Sequence, residues 1–299
     1  MKLAPIALFA YQRPDHLRRV LDSLAANPEA ATSELFVFSD APRDSAASAG
    51  VEAVRDILRG ARGFARLTAV LRDTNLGLAR SIIDGVGRLC GSHERVIVLE
   101  DDLEVAPYFL AYMNGALERY ADEELVASIH GYVYPVPEAL PETFFLRGAD
   151  CWGWATWRRA WHLFEPDGAS LLEALQARRL ADAFDLDGAY GFTAMLRDQI
   201  VGRNDSWAIR WHASAFLADK LTLYPGRSLV QNIGADGSGT HVECTDAYRV
   251  RLATSRVEVL AIALEESAVA RATFARYLAT TRLTAAGRLR DRLRRLVSR

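Results

Sequence analysis

The stretch "VIVLEDDLEVAP", residues 96–107, decides how this chain is read. Four apolar residues lead straight into Glu100, Asp101 and Asp102. An uninterrupted apolar run fits a strand covered on both faces, as in parallel sheets. Three adjacent carboxylates at the tip of such a strand repel one another. Either they face water on a loop ahead of a helix, or a strongly positive group is held among them.

The segments on either side favour the second reading, because they repeat one pattern. "LAPIALFA" (3–10) reads as a buried strand, followed by a helix in which Leu17, Val20, Leu21 and Leu24 recur at helical spacing behind Pro14. "ELFVFSD" (34–40) is a second strand, and Val51, Val54 and Leu58 mark a second amphipathic helix. "LTAVLRD" (67–73) leads into a helix with Leu78, Ile82, Val86 and Leu89 on one face. Residues 95–101 form the fourth strand and 106–120 the fourth helix. This alternation predicts an α/β fold with a mostly parallel central sheet flanked by helices. Ligands bind beyond the carboxyl ends of such strands. The ends here read Tyr11–Arg13, Ser39–Asp40, Asp73–Asn75 and Glu100–Asp102, all polar, so the acidic triplet has a pocket to belong to.

Composition narrows the rest. The chain has 299 residues, half of them apolar and a quarter charged, which is ordinary globular usage. A formal charge of −2 gives no general pull toward nucleic acid. Three widely spaced cysteines, Cys90, Cys151 and Cys244, form no CxxC pair, so neither a zinc site nor a disulfide framework is expected, and a reducing, cytoplasmic setting fits. The apolar N-terminus is too short for a secretory leader, and no run is long enough for a spanning helix.

Clustered carboxylates call for a divalent cation with oxygen ligands, and magnesium or manganese typically takes one or two of them together with phosphate oxygens. No G-x-G-x-x-G or P-loop pattern is present, so neither a dinucleotide nor a P-loop ATP site is indicated. The first strand ends in "FAYQRP" without a glycine-rich loop to wrap a triphosphate, which argues for a diphosphate held by a metal.

"AYQRPDHLRRVLDSL", "FVFSD", "VIVLEDDLEVAPYFLAYM" and "FLRGADCWGWATWRRAWHLFEP" together resemble the N-acetylglucosaminyltransferase I group of GT-A type glycosyltransferases, over roughly residues 3–166 with a looser match at 221–241. The resemblance implies a GT-A fold with a glycosyltransferase domain at 1–245, split into a nucleotide-binding half (1–104) and an acceptor half (105–245); helical patterns past about 250 set off a C-terminal helical tail at 246–299. It implies that Asp102 ligates Mn2+ or Mg2+, that Glu100 and Asp101 contact ribose and donor sugar, and that Arg13 and Asp40 hold the nucleotide, Asp40 accepting from a uracil N–H. On the residues alone, Asp40 is equally a turn residue before Pro42 and Arg13 a surface arginine at a helix start. Asn75 and Arg80, at and just after the third strand end, complete the expected nucleotide-sugar set.

In "CWGWATWRRAW", Trp154, Trp157 and Trp161 fall at helical spacing; Trp157 and Trp161 read as core, Trp152 and Gly153 as substrate contacts, and Trp154 fits either role. "NIGADGSGTH" (232–241) is a glycine-rich loop expected to act as a lid, with His241 as metal ligand or phosphate contact. The related enzymes carry their base in a Trp-Asp-Asp-Trp stretch, whose nearest equivalent is "NDSWAIRW" (204–211). Asp205 is the first candidate for the catalytic base and Asp198 the second, with an inverting reaction expected. The tail at 282–299 carries seven arginines against Asp291 and reads as a basic amphipathic helix, open to peripheral contact at the inner face of a membrane or to solvent. The expected partners are a UDP-sugar donor and a glycan or lipid-linked glycan acceptor in surface polysaccharide assembly, with no nucleic acid. A sugar nucleotidyltransferase and a silent glycan- or nucleotide-binding protein are the alternatives.

Overall fold

A computed structural model describes residues 3–236 and 245–281. Its first half follows the alternation in the sequence: β1 (Ile6–Ala10), α1 (Pro14–Ala25), β2 (Glu34–Ser39), α2 (Ser48–Gly60), β3 (Arg66–Leu71), α3 (Leu78–His93) and β4 (Arg95–Glu100). Pro14 opens α1, and Leu17, Val20, Leu21 and Leu24 are buried beneath it. Every residue of β1 is buried, as a central parallel strand requires.

The second half is richer in strands than its sequence suggests. It runs β5 (Leu103–Val105), α4 (Phe109–Arg119), β6 (Val126–His130), β7 (Thr143–Arg147), β8 (Trp154–Trp157), α5 (Arg158–Trp161), α6 (Gly168–Ala177), α7 (Ala181–Phe184), α8 (Phe192–Ile200), α9 (Trp207–Leu217), β9 (Leu221–Pro225) and β10 (Val230–Asn232). Eight strands form one sheet in the order β3-β2-β1-β4-β8-β6-β9-β7, and β5 pairs with β10 in a small antiparallel ribbon. In the large sheet only β7 and β8 run against the others. The mostly parallel α/β sheet expected from the sequence is the fold that forms.

Helices cover both faces. Leu17, Val54 and Met113 pack with Leu8 and Ile97 on one side, and Ile82, Trp161 and Trp211 pack with Phe9 and Val98 on the other. β1, β2 and β3 lie to one side and β4 to the other, so the sheet's winding reverses between β1 and β4, where open α/β sheets bind ligands.

Two expectations are corrected. Trp154 to Trp157 form a strand and not a helix; only the single turn Arg158–Trp161 that follows is helical, because Ala155 and Thr156 pair with both β4 and β6. The chain past 246 is not helical throughout. Up to 267 it is an irregular strap, held by Ala253 N–H to Ser228 O and Ser267 N–H to Phe145 O, both 2.8 Å. A C-terminal helix follows over 268–281 and packs Ala270, Phe274 and Leu278 inward. Among the described residues no helix is long and apolar enough to cross a membrane. The tail at 282–299 lies outside them.

Candidate active site

β1 and β4 are adjacent and parallel, with Phe9 opposite Glu100, so the segments leaving their carboxyl ends meet. Asp101 accepts from the Tyr11 backbone N–H at 3.1 Å and from Arg13 Nη2 at 2.9 Å. The same Nη2 reaches Asp102 Oδ2 at 2.9 Å. Arg13 therefore locks two of the three acids, and its other terminal nitrogen, Nη1, is buried without a hydrogen-bond partner.

One guanidinium does not balance three carboxylates. Burial, reinforced by Asp102 and Asp101, pushes the Glu100 carboxyl well above the usual carboxylate range. Burial raises Asp101 to about 6 even though Arg13 pulls it down. Glu100 makes no hydrogen bond or ion pair among the described residues, and Asp102 keeps an accessible edge, with its side chain 16% exposed. The site combines unspent negative charge with one unspent cationic donor.

The glycine-rich loop starts directly over this pair. Ile233 N–H donates to the Asp102 carbonyl at 2.8 Å, and His16 Nε2 lies 3.2 Å from Asp236 Oδ2. A Cβ on Gly234 would stand 2.3 Å from Asp102 Oδ2 and 3.0 Å from Arg13 Nη1, so a side chain there would force the Asp102–Arg13 pair to shift. Gly237, Gly239 and His241 lie outside the described residues.

The second and third strand ends are hydrogen-bonded to each other. The buried Asp40 carboxylate accepts from the N–H groups of Ala41 (3.0 Å), Leu76 (2.9 Å) and Gly77 (2.9 Å). Asn75 Nδ2 donates back to Ala41 O at 2.7 Å. The two side chains staple the loop ahead of α3 to the tip of β2, and Asp40 supplies negative charge at that helix's N-terminus. Arg80, in the first turn of α3, is exposed and without a hydrogen bond or ion pair among the described residues.

Trp152 is partly exposed and packs edge-on against Tyr132 and Tyr248, with ring centroids 4.7 and 5.5 Å apart. Gly153 has φ +65°, and a Cβ there would meet Val230 Cγ2 at 2.5 Å. Its carbonyl accepts from Gly131 N–H at 2.7 Å. Trp154 is fully buried and stacks on Trp207 at 5.4 Å, which settles its two readings in favour of core packing.

Both expected bases are exposed and paired with arginines. Asp198 pairs with Arg203 at 2.6 Å, 42% exposed. Asp205 is 68% exposed and pairs with Arg210 at 3.0 Å, just ahead of Ser206, the N-cap of α9. The sequence reading passed over a third carboxylate. Asp150, one residue before Cys151, has its side chain 31% exposed, accepts from Cys151 N–H at 2.8 Å, and lies 3.7 Å from His130 Nε2 at the carboxyl end of β6. His130 is fully buried, with neither ring nitrogen hydrogen-bonded, and burial lowers it to about 4. The only signal in the sequence was the nearness of Asp150 to Trp152 and Gly153; β6, which carries His130, had not been read as a strand.

No ready-made cluster of three Asp, Glu, His or Cys ligands occurs among the described residues. The oxygen-only set nevertheless fits a hard octahedral cation, which needs one or two protein carboxylates when phosphate oxygens and water fill the other positions.

No protein-family model and no curated protein matches the chain. Among solved structures it is similar to S. aureus TarS, with TM-score 0.32 and 15% identity over 52% of this chain and 28% of that one, so the match spans little more than a quarter of TarS. It is also similar to a UDP-glucose pyrophosphorylase complexed with UDP-glucose, with TM-score 0.37 and 10% identity over 75% of this chain and 90% of that one. A third is glucosyl-3-phosphoglycerate synthase from Mycobacterium tuberculosis in complex with Mn2+ and UDP, with TM-score 0.33 and 15% identity over 59% and 67%. At such identities, what the residues of this site do follows from their own geometry.

Proposed function

We propose that this chain is a GT-A type glycosyltransferase that moves a sugar from a nucleotide-diphosphate donor, with UDP favoured, to a glycan or glycolipid hydroxyl. The observation that carries this reading is the tip of β4: three carboxylates at the reversal point of the sheet face a single arginine that keeps a buried donor unused. A carboxylate-lined crevice repels a bare diphosphate. It accepts one only with a cation between them.

Asp102, with its accessible edge, is the residue to hold that cation, and Glu100 is free to accept from a ribose or sugar hydroxyl. The bound cation would neutralise charge on the departing diphosphate. Arg13 presents Nη1 to a phosphate oxygen while its Nη2 keeps Asp101 and Asp102 in place. The Gly234 loop, crossing against both Asp102 and Arg13, is placed to cover the diphosphate and limit hydrolysis. Asp40 and Asn75 act at one remove, fixing the 73–77 loop beside the nucleotide pocket.

The test is release of nucleotide from a panel of UDP-, GDP- and dTDP-sugars with Mn2+ and with chelator, together with calorimetry of UDP. Metal-dependent UDP binding and cleavage of one donor, both lost in Asp102→Asn, are expected. UDP binding that is equal with chelator and with Mn2+ would refute the reading. Release of pyrophosphate from UTP and a sugar 1-phosphate would show a nucleotidyltransferase in its place, and metal-dependent binding without any turnover a silent binding protein.

A further inference from the structure

Proton removal from the acceptor has no residue yet, since Asp205 and Asp198 are exposed and paired with arginines. We propose that Asp150 is the general base for the acceptor hydroxyl, and that the aromatic wall beside it is the subsite for an acceptor sugar; this rests on the glycosyltransferase reading above.

Position is the first argument. The segment 150–153 crosses the carboxyl end of the sheet beside β4 and β6. A Cβ on Gly153 would lie 3.4 Å from Leu99, next to Glu100, and the Gly153 carbonyl is bonded to Gly131, next to His130. The Cys151 thiol, raised first by burial, is raised further by Asp150 and then by Glu100 and Asp102, so both acidic groups lie near it. Asp150 thus stands by the donor pocket without belonging to the triplet.

The second argument is His130. A fully buried imidazole with no hydrogen bond costs stability unless it serves a partner. Its Nε2 faces Asp150 Oδ2 at 3.7 Å, and its ring is otherwise enclosed by Tyr224 (4.9 Å) and Tyr132 (6.4 Å). His130 Nε2, beyond hydrogen-bonding distance, flanks one carboxylate oxygen of Asp150 while the Cys151 N–H donates to the other. The Asp150 side chain is 31% exposed, so an acceptor hydroxyl can reach it.

The third argument is what surrounds that opening. Tyr134, Trp152 and Tyr248 are partly exposed; Tyr134 and Trp152 each pack edge to face on Tyr132, with centroids 5.4 and 4.7 Å apart, and Tyr248 packs edge to face on Trp152 at 5.5 Å. The field of Asp150 reaches Tyr132, Tyr134 and Tyr190, whose hydroxyls burial has already driven upward. Aromatic faces with polar tips around one carboxylate suit a sugar ring that offers a hydroxyl. In the step itself the acceptor oxygen attacks the donor's anomeric carbon, its proton passes to Asp150, the bond from that carbon to phosphate oxygen breaks, and the nucleoside diphosphate leaves with the electron pair.

The experiment uses the UDP-sugar that the wild type cleaves with Mn2+, first with water and then with octyl hexosides as acceptor, alongside calorimetry of Mn2+ and UDP. Asp150→Asn should lower turnover by about 10²–10⁴-fold and remove the acid limb of the pH profile, with UDP affinity unchanged. Asp150→Glu, which keeps the charge, should restore part of the turnover and the limb. An octyl hexoside should speed UDP release by the wild type and not by Trp152→Ala; no stimulation by any hexoside overturns the sugar subsite. Turnover that survives Asp150→Asn, loss in Asp205→Asn in its place, or loss of UDP affinity in either Asp150 variant overturns the base assignment alone. A wild type that neither binds Mn2+ with UDP nor cleaves a donor overturns the glycosyltransferase reading itself.

Discussion

Replacing His130 with phenylalanine should flatten the acid side of the protein's stability curve. In the unfolded chain an imidazole takes up a proton near pH 6.5, whereas in the fold burial lowers His130 to about 4 and the Asp150 charge offsets only part of that. Between those values the unfolded state binds a proton that the folded state refuses, so His130 removes stability as pH falls from about 6.5 to 4, and no more below that. At ~1.4 kcal/mol per pH unit the loss totals about 3 kcal/mol. Phenylalanine keeps the ring against Tyr224 and Tyr132 and removes two buried, unpaired nitrogens, so the variant should be at least as stable as wild type at pH 7. Urea melts at half-unit steps from pH 4 to 7.5 give the measurement. Glu100 and Asp101 titrate in both proteins, so the wild-type-minus-variant difference isolates the imidazole. Parallel curves across that range would refute the burial argument.

Asp40→Ala should strand the N–H groups of Ala41, Leu76 and Gly77, lowering stability by about 1–3 kcal/mol, read as a reduced urea midpoint, and loosening the 73–77 loop in hydrogen exchange. Gly234→Ala should leave the melting temperature near wild type but weaken UDP binding with Mn2+ by tenfold or more (about 1.4 kcal/mol), because its methyl would displace Asp102 and Arg13. Cys90, buried and pushed up to about 12, should resist a thiol reagent at pH 8 in the native protein and react on unfolding, as peptide mapping would show.

The sequence by itself determined the N-terminal half. Its strands and helices follow strict periodicities, and a parallel strand buried on both faces leaves an apolar run that ends visibly where polarity returns. The acidic triplet was legible for that reason, and so was its place at the ligand-binding edge. The second half was less legible. β6 and β8 lie within the sheet, and Trp154, Trp157 and Trp161 matched a helical period by coincidence while pairing partners imposed a strand. Only the tertiary structure decided that Asp40 and Asn75 spend their hydrogen bonds on a loop, that Gly234 lies against Asp102, and that Asp150 meets His130. His130 and Asp150 are twenty residues apart, on segments brought together by the β6–β8 pairing. Periodicity records which side of an element is buried; it does not record which distant groups share a cleft, because that depends on the order in which the strands assemble.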